Sequence, residues 1–489
     1  KDQLLKINIQ YSESSNIDRY DKLVEEMNGS LRFSEWYYGP QKRFFISPQF
    51  KFFLGKEWMK KGTMTFAYQK VDESRVNRKF GEIIRSNKLE SVDVFSLNAD
   101  FFGHSKGGHS YSYGLEWAQN KINSRAYAFD LELDFESITS FINQRPIPSR
   151  YPDNGSSATS FAIYLNWIYE LNKRLNLNAG LRLTSSSLNG NWNKIASVDK
   201  LVSSVKLDSK ALTYTLAITY RPNKKLQING LLSSGFRNPN IDDIGKIREN
   251  NGILLVPNSF LKPEYAYTFE SGIKIRSNNQ KSYFDLRGFS TLVSRHIVRS
   301  NFIVFSDTST EDQNTIIYNG DEVLTQANKN LGNRFIYGLC VESKLSLGSF
   351  MKLYGGVNFT SSDKNSDYGP MPSIAPFFGT FTFSRQYLKW SHFLIWKFSA
   401  SKKPRDFSWG GEDGLNETPI IDPNASLEID RFYGMPSWNS FSLLAQYFFN
   451  ENIKLTFGLN NIFDIHYRTF ASGISSEGRS FQLGVKVKF

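Results

Sequence analysis

The chain has 489 residues, with 59 Lys and Arg against 47 Asp and Glu, a formal net charge of +12. Only 40% of its residues are apolar, yet 15% are aromatic, which excludes both a disordered chain and a helical protein rich in Leu and Ala. No run approaches the roughly 18 consecutive apolar residues of a membrane-spanning helix. The composition therefore favours a strand-rich protein.

Strand-like segments recur along the chain, because apolar residues occupy every second position. In chain order these sets include Phe161, Ile163, Leu165, Trp167 and Tyr169; Leu175, Leu177, Ala179, Leu181 and Leu183; Leu212, Tyr214, Leu216, Ile218 and Tyr220; Ile453, Leu455, Phe457 and Leu459; and Phe481, Leu483, Val485, Val487 and Phe489. The alternate positions carry Lys, Arg, Asn and Thr beside small Gly and Ala, which is typical of strands that line a polar lumen. Counting such segments predicts about 18 strands.

The connections between these segments alternate in length. Short turns are predicted at 171–174, 222–225, 278–281, 347–350 and 450–452, and long segments at 136–158, 188–206, 236–264, 301–326 and 403–437. Short periplasmic turns opposite long extracellular loops are typical of outer-membrane barrels, whereas a soluble sandwich needs no such asymmetry. The predicted fold is therefore an all-β, transmembrane antiparallel barrel.

Two sets of motifs carry a resemblance to a known family. Mid-chain, the sequence reads SGFRNPNID at 234–242, LKPE at 261–264 and ESG at 270–272, and near its end GLNNIFD at 458–464, YR at 467–468 and GRSF at 478–481. Together they closely resemble TonB-dependent outer-membrane receptors. The segment WYYGPQKR at 36–43 is similar to receptors of this family from Bacteroidota-like bacteria.

The resemblance implies a barrel of about 22 strands whose lumen holds an N-terminal plug. Residues 1–489 would form a single barrel domain equivalent to strands 5 to 22, within an error of about two strands. We expect this chain to lack the plug, with the plug and the first strands lying upstream of Lys1 or on an associated fragment. The terminal Phe489 would act as the signal that the barrel-assembly machinery reads on the last strand.

The resemblance also implies a function and a location. The protein would be an integral protein of the bacterial outer membrane, among lipid and lipopolysaccharide, and import a scarce bulky nutrient complex such as a ferric siderophore, haem or cobalamin. The TonB energy complex would act through the plug. The alternative is a passive porin or a structural barrel component of a surface assembly. We expect no nucleic-acid partner and no resident cofactor.

The chemistry of the residues favours ligand binding over catalysis. None of the five His has a recognisable catalytic or metal-site partner spacing, so neither an active site nor a metal centre is predicted. The segment 403–437 holds the candidate ligand-binding residues Arg405, Phe407, Trp409, Arg431 and Tyr433 among several carboxylates. Such a segment could bind a ligand through aromatics and Arg, bind a hard cation, or simply be a solvated loop. The net charge of +12 could attract an anionic iron chelate or pair with lipopolysaccharide phosphates.

Arg237 is predicted to support the base of the long loop that it enters. Gly235 relaxes the backbone at the end of the strand and Pro239 fixes the following turn, so the guanidinium could bridge nearby carboxylates. The candidate partners of this structural loop brace are Glu264 and Glu270, together with Asp242 and Asp243. The alternative is a solvent-exposed turn arginine.

Overall fold

The computed structural model describes residues 3–27, 29–135, 137–193, 203–250, 252–304, 315–318, 321–365, 369–410 and 413–488. Its strands are β1 (Leu4–Glu13), β2 (Ile17–Asp18), β3 (Glu26–Met27), β4 (Ser30–Leu31), β5 (Phe33–Tyr38), β6 (Lys42–Phe53), β7 (Lys61–Lys79), β8 (Ile84–His104), β9 (His109–Asp134), β10 (Ser137–Pro146), β11 (Ser156–Asn172), β12 (Leu175–Asn191), β13 (Ser204–Tyr220), β14 (Leu226–Arg237), β15 (Arg248–Asn250), β16 (Ile253–Leu255), β17 (Glu264–Arg276), β18 (Tyr283–Ser294), β19 (Ile297–Asn301), β20 (Thr315–Tyr318), β21 (Asp321–Asn330), β22 (Asn333–Leu347), β23 (Met351–Ser362), β24 (Lys364–Asn365), β25 (Gly369–Pro370), β26 (Phe378–Tyr387), β27 (Trp390–Ser399), β28 (Trp438–Phe448), β29 (Ile453–Asn460) and β30 (Ser480–Val487). Short helices α1 (Tyr20–Leu23), α2 (Ile241–Ile244) and α3 (Glu428–Arg431) and two 3-10 turns (Pro404–Asp406 and Leu415–Glu417) lie in the connections.

Most strands belong to one large sheet of 21 strands. Eighteen of them form an unbroken antiparallel path that follows chain order, β1-β6-β7-β8-β9-β11-β12-β13-β14-β17-β18-β22-β23-β26-β27-β28-β29-β30. The remaining three, β2, β5 and β10, pair beside it. The predicted antiparallel sheet, with a strand count of about 18, is confirmed.

The two faces of the sheet differ as the alternation predicts. Between β12 and β13, Leu183 lies opposite Leu212 and Leu181 opposite Tyr214, and the three leucines are each more than half exposed. The other face carries polar contacts such as Arg182 Nη2 to Glu116 Oε2, 3.0 Å. A row of exposed apolar side chains that continues from strand to strand is unusual for a soluble monomer and typical of a lipid-facing surface.

The connections separate into two ends of the sheet. The short-turn end consists of residues 54–60, 105–108, 173–174, 221–225, 277–282, 348–350, 388–389 and 449–452. The long-loop end consists of the described parts of residues 14–41, 80–83, 135–155, 192–203, 238–263, 295–332, 363–377, 400–437 and 461–479. The turn 80–83 lies at the long-loop end although it is short. It joins β7 and β8, whose 19 and 21 residues far exceed the 9–11 or so that span a bilayer.

The long loops fold upon one another. A second sheet joins β15, β16, β21 and β19, with β20 also paired to β21. Together with α2 it encloses the buried apolar side chains Leu188, Trp192, Val205, Ile241, Ile244, Ile247, Leu254, Val256, Leu261, Tyr318, Val323 and Ala327. We call the described parts of 238–263 and 295–332 the loop subdomain. Its core explains why these loops keep a defined shape at the end of the sheet.

The two outermost strands of the path are β1 and β30. In the described part of the chain, β1 continues the path only through β6 and β30 only through β29. Every residue of β1 is exposed, and Phe481 of β30 is 81% exposed. Both strands therefore present an open edge with apolar side chains.

The helices are few and short. None of those in the described ranges is long and apolar enough to cross a membrane.

Candidate ligand-binding site

The predicted ligand-binding residues of 403–437 occupy different environments. Phe407 is buried, with 3% exposure, whereas Trp409 and Tyr433 are 66% and 55% exposed. Arg405 and Arg431 are also exposed, and Arg431 Nε donates to the Ala425 carbonyl at 3.0 Å. The structure therefore does not gather the five into one pocket, and their role in binding stays a prediction.

A cavity of about 290 Å³ lies between the loop 400–437 and the loop 461–479. It is lined mostly by aromatic and apolar groups, with a few polar ones, including Phe407, Met435, Trp438, His466, Tyr467, Arg468 and Phe470. We call this cavity and its two loops the cavity region. Its volume is at the lower end for small-molecule sites, so it suits one ring-sized group rather than a whole bulky complex.

A buried ion pair holds the cavity region together. Lys402 Nζ lies 3.2 Å from Asp413 Oδ2 and donates to the Ile374 carbonyl at 2.7 Å. Asp413 also accepts backbone N–H groups from Ser373 and Ser408. The pair therefore ties loop 363–377 to loop 400–437. Burial lowers the pKa of the Lys402 ammonium, and the Asp413 carboxylate opposes that shift.

Aromatic rings complete this support. The Lys402 ammonium lies 4.2 Å from the ring centroid of Phe470, which belongs to loop 461–479, and 5.1 Å from that of Phe407. Such cation–π contacts strengthen when they are shielded from water. Lys402 thus contacts both loops that line the cavity and, through the Ile374 carbonyl, the neighbouring loop 363–377.

Stacked aromatic rings form another part of the cavity wall. Trp438, the first residue of β28, stacks on Tyr467 with ring centroids 4.2 Å apart. The Trp438 indole Nε1 is buried and has no hydrogen-bond partner in the described part of the chain. Arg468 Nη1 donates to the Glu417 carbonyl at 2.7 Å. The cavity therefore has an aromatic wall, with one buried indole N–H that has no partner among the described residues.

Arg237 lies at the junction of the sheet and the loop subdomain. Its Nη1 lies 3.0 Å from Glu264 Oε2, and its Nη2 lies 2.5 Å from Asp243 Oδ1. Glu264 Oε1 in turn accepts the backbone N–H of Ile297 at 2.5 Å. Asn240 and Asp243 cap α2 reciprocally. This network joins the ends of β14 and β17 to both loops of the subdomain.

The other candidate partners of Arg237 lie elsewhere. Glu270 stands opposite Leu231, further along β17, while Arg237 stands opposite Glu264. Asp242 accepts from the Tyr151 hydroxyl at 2.7 Å and from Lys246 Nζ at 2.9 Å. The geometry thus joins Arg237 with Glu264 and Asp243, and leaves Glu270 and Asp242 out of that pairing. The functional importance of the contact stays a prediction.

His296 is buried beside the same network, with 7% exposure. Its Nδ1 has no hydrogen-bond partner among the residues that the structure describes. Burial lowers the pKa of the imidazole, opposed by the nearby Glu264 carboxylate. Nothing in the sequence distinguishes this residue, because a lone His after a strand carries no signal of burial.

Other residues important to the site were also missed. Tyr467 and Arg468 occur within the quoted terminal signature and Trp438 lies well before it, yet nothing in the sequence shows that 400–437 folds against 461–479. Lys402 precedes the segment that was singled out. In the described ranges no group of three or more His, Cys, Asp or Glu side chains is placed to hold a metal ion. The proposed signal Phe489 lies outside the described residues.

Comparisons with known proteins agree with this architecture. Residues 5–462 match the family described as TonB dependent receptor-like, beta-barrel. The hemoglobin-haptoglobin utilization protein B of Neisseria meningitidis serogroup C is 23% identical over 437 residues, which cover 83% of this chain and 53% of that protein. This chain therefore spans about half the length of that curated relative.

Solved structures show the same fold. The copper transporter OprC superposes with a TM-score of 0.72 at 15% identity, covering 93% of this chain and 66% of that one. The siderophore receptor PiuA from Acinetobacter baumannii gives a TM-score of 0.66 at 15% identity, covering 100% of this chain and 72% of that one. At such low identity, these similarities concern the fold alone.

Proposed function

This chain belongs to the family of TonB-dependent receptor-like β-barrels, and from that premise we propose that it forms the barrel of an outer-membrane importer. The cargo would be a scarce, bulky nutrient complex such as a ferric siderophore, haem or cobalamin. The observation that carries the proposal is the ordered long-loop end, where two packed loop regions adjoin an antiparallel sheet with one apolar and one polar face. The buried pair of Lys402 and Asp413 holds one of these loop regions in a defined shape around its cavity, as capture of a specific cargo requires.

Among the three cargo classes, haem is favoured by the curated relatives, whose printed names refer to hemoglobin and haptoglobin. Against this, the segment from Arg237 to Lys262 contains no His that could bind haem iron. The proposal therefore names a nutrient complex and ranks haem first within it.

The proposal places the chain in the bacterial outer membrane, with the apolar face of the sheet in contact with lipid and the long loops outside among lipopolysaccharide. Insertion would use the barrel-assembly machinery and the last strand. We propose no catalytic step and no nucleic-acid partner, since the family and the neighbouring structures are receptors and transporters.

We propose in addition that a plug domain and further strands complete the barrel as it works in the cell, and that the TonB energy complex acts through that plug. The exposed residues of β1 and the exposed apolar residues of β30 support this, because an open edge invites pairing with further strands. Residues 1–489 would then supply the later strands of a larger barrel.

An uptake assay in cells that carry the complete receptor gene tests the proposal. Cells would receive haemin, a ferric siderophore or cobalamin as the sole source of the nutrient, with and without a protonophore that abolishes the energy supply of the inner membrane. We expect uptake of one cargo that stops with the protonophore. Uptake of small solutes that is indifferent to both protonophore and cargo would instead establish the alternative, a passive porin.

A further inference from the structure

The charges of the protein are distributed unequally between its two ends. The eight turns of the short-turn end contain ten Lys and Arg but only two Asp and Glu. The nine connections of the long-loop end contain 20 Lys and Arg and 28 Asp and Glu. The short turns are thus net positive and the loops net negative. The charge of +12 is therefore not concentrated where a cargo or lipopolysaccharide would meet it.

Basic side chains of the strands next to the short turn 388–389 also face outward from the apolar side of the sheet. Arg385 of β26 lies opposite Met351 on one side and His392 of β27 on the other, so all three share a face. The same face continues through Leu394 and Leu443, which are exposed. Arg385 and His392 are exposed too. They are therefore polar residues on the surface that we assign to lipid.

Aromatic rings surround these two residues close to the turn 388–389. Trp390 stacks on His392 with centroids 5.6 Å apart, and its ring is tilted against that of Tyr447 with centroids 4.8 Å apart. The Arg385 guanidinium lies 5.8 Å from the ring centroid of Tyr387. Trp and Tyr prefer the level of lipid headgroups, because one part of the ring is apolar and the other hydrogen-bonds. The cluster therefore lies at the depth of the headgroups of one leaflet.

The cationic groups of this cluster have no carboxylate partner in the part of the chain that the structure describes. Among the described residues, Arg385 and Lys389 form no ion pair, and Lys389 Nζ donates to the Phe449 carbonyl at 2.8 Å. On the opposite face, by contrast, Arg182 and Lys274 pair with Glu116 and Asp285. An unpaired guanidinium beside an imidazole is a favourable site for a phosphate, which accepts hydrogen bonds from both.

We propose that Arg385, Lys389 and His392 bind the phosphodiester headgroup of an anionic phospholipid in the periplasmic leaflet. The inference rests on the membrane placement given under Proposed function. Arg385 and His392 would donate to the phosphate oxygens, Lys389 would add charge at the turn, and Trp390 and Tyr447 would pack against the glycerol and upper acyl chains. The other basic short turns would extend the same attraction around the rim of the barrel.

Native mass spectrometry of the receptor purified from membranes tests this proposal. The protein would be exchanged into micelles with equal amounts of phosphatidylglycerol and phosphatidylcholine, and the retained lipids counted. We expect wild type to retain phosphatidylglycerol preferentially. A basic residue near an anionic headgroup is worth about a fivefold preference, so the R385Q/K389Q/H392Q variant should lose most of it. The matched control is Lys352→Gln, because Lys352 shares its face with Ser384, on the lumen side at the same height.

Several results would overturn the proposal. Wild type without a preference for phosphatidylglycerol would do so, as would a triple variant that binds it like wild type or a K352Q variant that loses it equally. If lipid A, added as a competitor, binds at these residues instead, the assignment to the periplasmic leaflet is wrong. Lipid binding does not depend on uptake. If the uptake assay fails but the preference for phosphatidylglycerol is intact, the proposed import is wrong and the lipid site stands. If the wild-type protein shows no heat-modifiable migration on a gel, the proposed placement in the membrane is wrong.

Discussion

The loop subdomain and the cavity region are both supported by an ion pair at the base of a long loop, but the two pairs differ in burial. The Arg237 side chain is 48% exposed, with Asp243 and Glu264 each at 11%. The Lys402 and Asp413 side chains are 6% and 1% exposed. Water cannot hydrate a buried charge that loses its partner, whereas it can hydrate a half-exposed one. The same kind of contact should therefore matter far more in the cavity region.

The largest effect is expected for Lys402→Ala, which leaves the Asp413 carboxylate buried and unpaired. Breaking a buried pair in this way costs about 3 to 5 kcal/mol, so the cavity region should open locally. Hydrogen–deuterium exchange of the loop 400–437 measures this directly.

The exposed neighbour Lys403 supplies the control for that measurement, since Lys403→Ala should leave exchange as in wild type. Replacing both charges, as in K402M/D413L, should recover much of the protection because no lone charge remains. Equal exchange in K402A and K403A would show that Lys402 does not hold the cavity region together.

Arg237→Ala should have a smaller effect of about 1 to 2 kcal/mol on the loop subdomain, because solvent replaces part of the lost contact. We expect heat-modifiable folding of the barrel to persist, while uptake falls and protease cleavage within 236–264 increases. Lys262→Ala, an exposed change in the same loop, is the control. Wild-type uptake together with an unchanged cleavage pattern in R237A would favour a simple solvent-exposed turn arginine.

Acidification should loosen the loop subdomain before it affects the cavity region. The folded-state pKa of His296 is lowered, so the unfolded subdomain binds more protons, and this share of stability is present above about pH 6.5 and lost as the pH falls toward the lowered pKa. A shift of one pKa unit corresponds to about 1.4 kcal/mol.

Limited proteolysis at about pH 7.5 and about pH 5.5 would reveal this loss as faster cleavage of the subdomain at the lower value. His296→Phe should abolish the difference, since it keeps the ring volume but cannot be protonated. Cleavage that accelerates equally in H296F would assign the pH dependence to other groups.

The smallest changes in stability are expected for Trp409→Ala and Tyr433→Ala, because both side chains are largely exposed; each should alter stability by less than about 0.5 kcal/mol. If they contact cargo as predicted, cargo binding should weaken several-fold without a change in the hydrogen–deuterium exchange of the loop 400–437.

Phe407→Ala should instead disturb the cavity region, because Phe407 is buried. Measuring affinity and exchange on the same three variants separates contact with cargo from support of the loop, and unchanged affinity in both W409A and Y433A would exclude them from the site.

Much of the fold could be predicted from the sequence because period-two alternation depends only on local pattern. Leu181 and Leu183 share a face in the structure as in the sequence, and the path of strands follows chain order. The contact between Arg237 and Glu264 could be predicted too, because Arg237 is the last residue of β14 and Glu264 is the first residue of β17. Antiparallel pairing of two strands that one loop joins brings the two ends of that loop together.

The cavity region could not be predicted, for a physical reason. Trp438 and Tyr467 meet only because two loops from different strand pairs fold over each other, and Lys402 becomes buried only through that packing. Phe407 and Trp409 look equivalent in the sequence, yet Phe407 is buried and Trp409 is exposed. Contacts between loops depend on side-chain packing over long chain separations, which no periodicity encodes.

A barrel has one face of its sheet in lipid and the other toward a lumen, so two adjacent positions on β13, which is not an edge strand, should report different surroundings. Leu216 lies on the apolar face and Thr215 on the polar face. In a background where Cys340 is replaced by Ser, a fluorophore would be attached to L216C or T215C in receptor reconstituted with nitroxide-bearing lipids. We predict strong quenching by the lipids at position 216 and weak quenching at position 215. Equal quenching at the two positions would contradict the barrel.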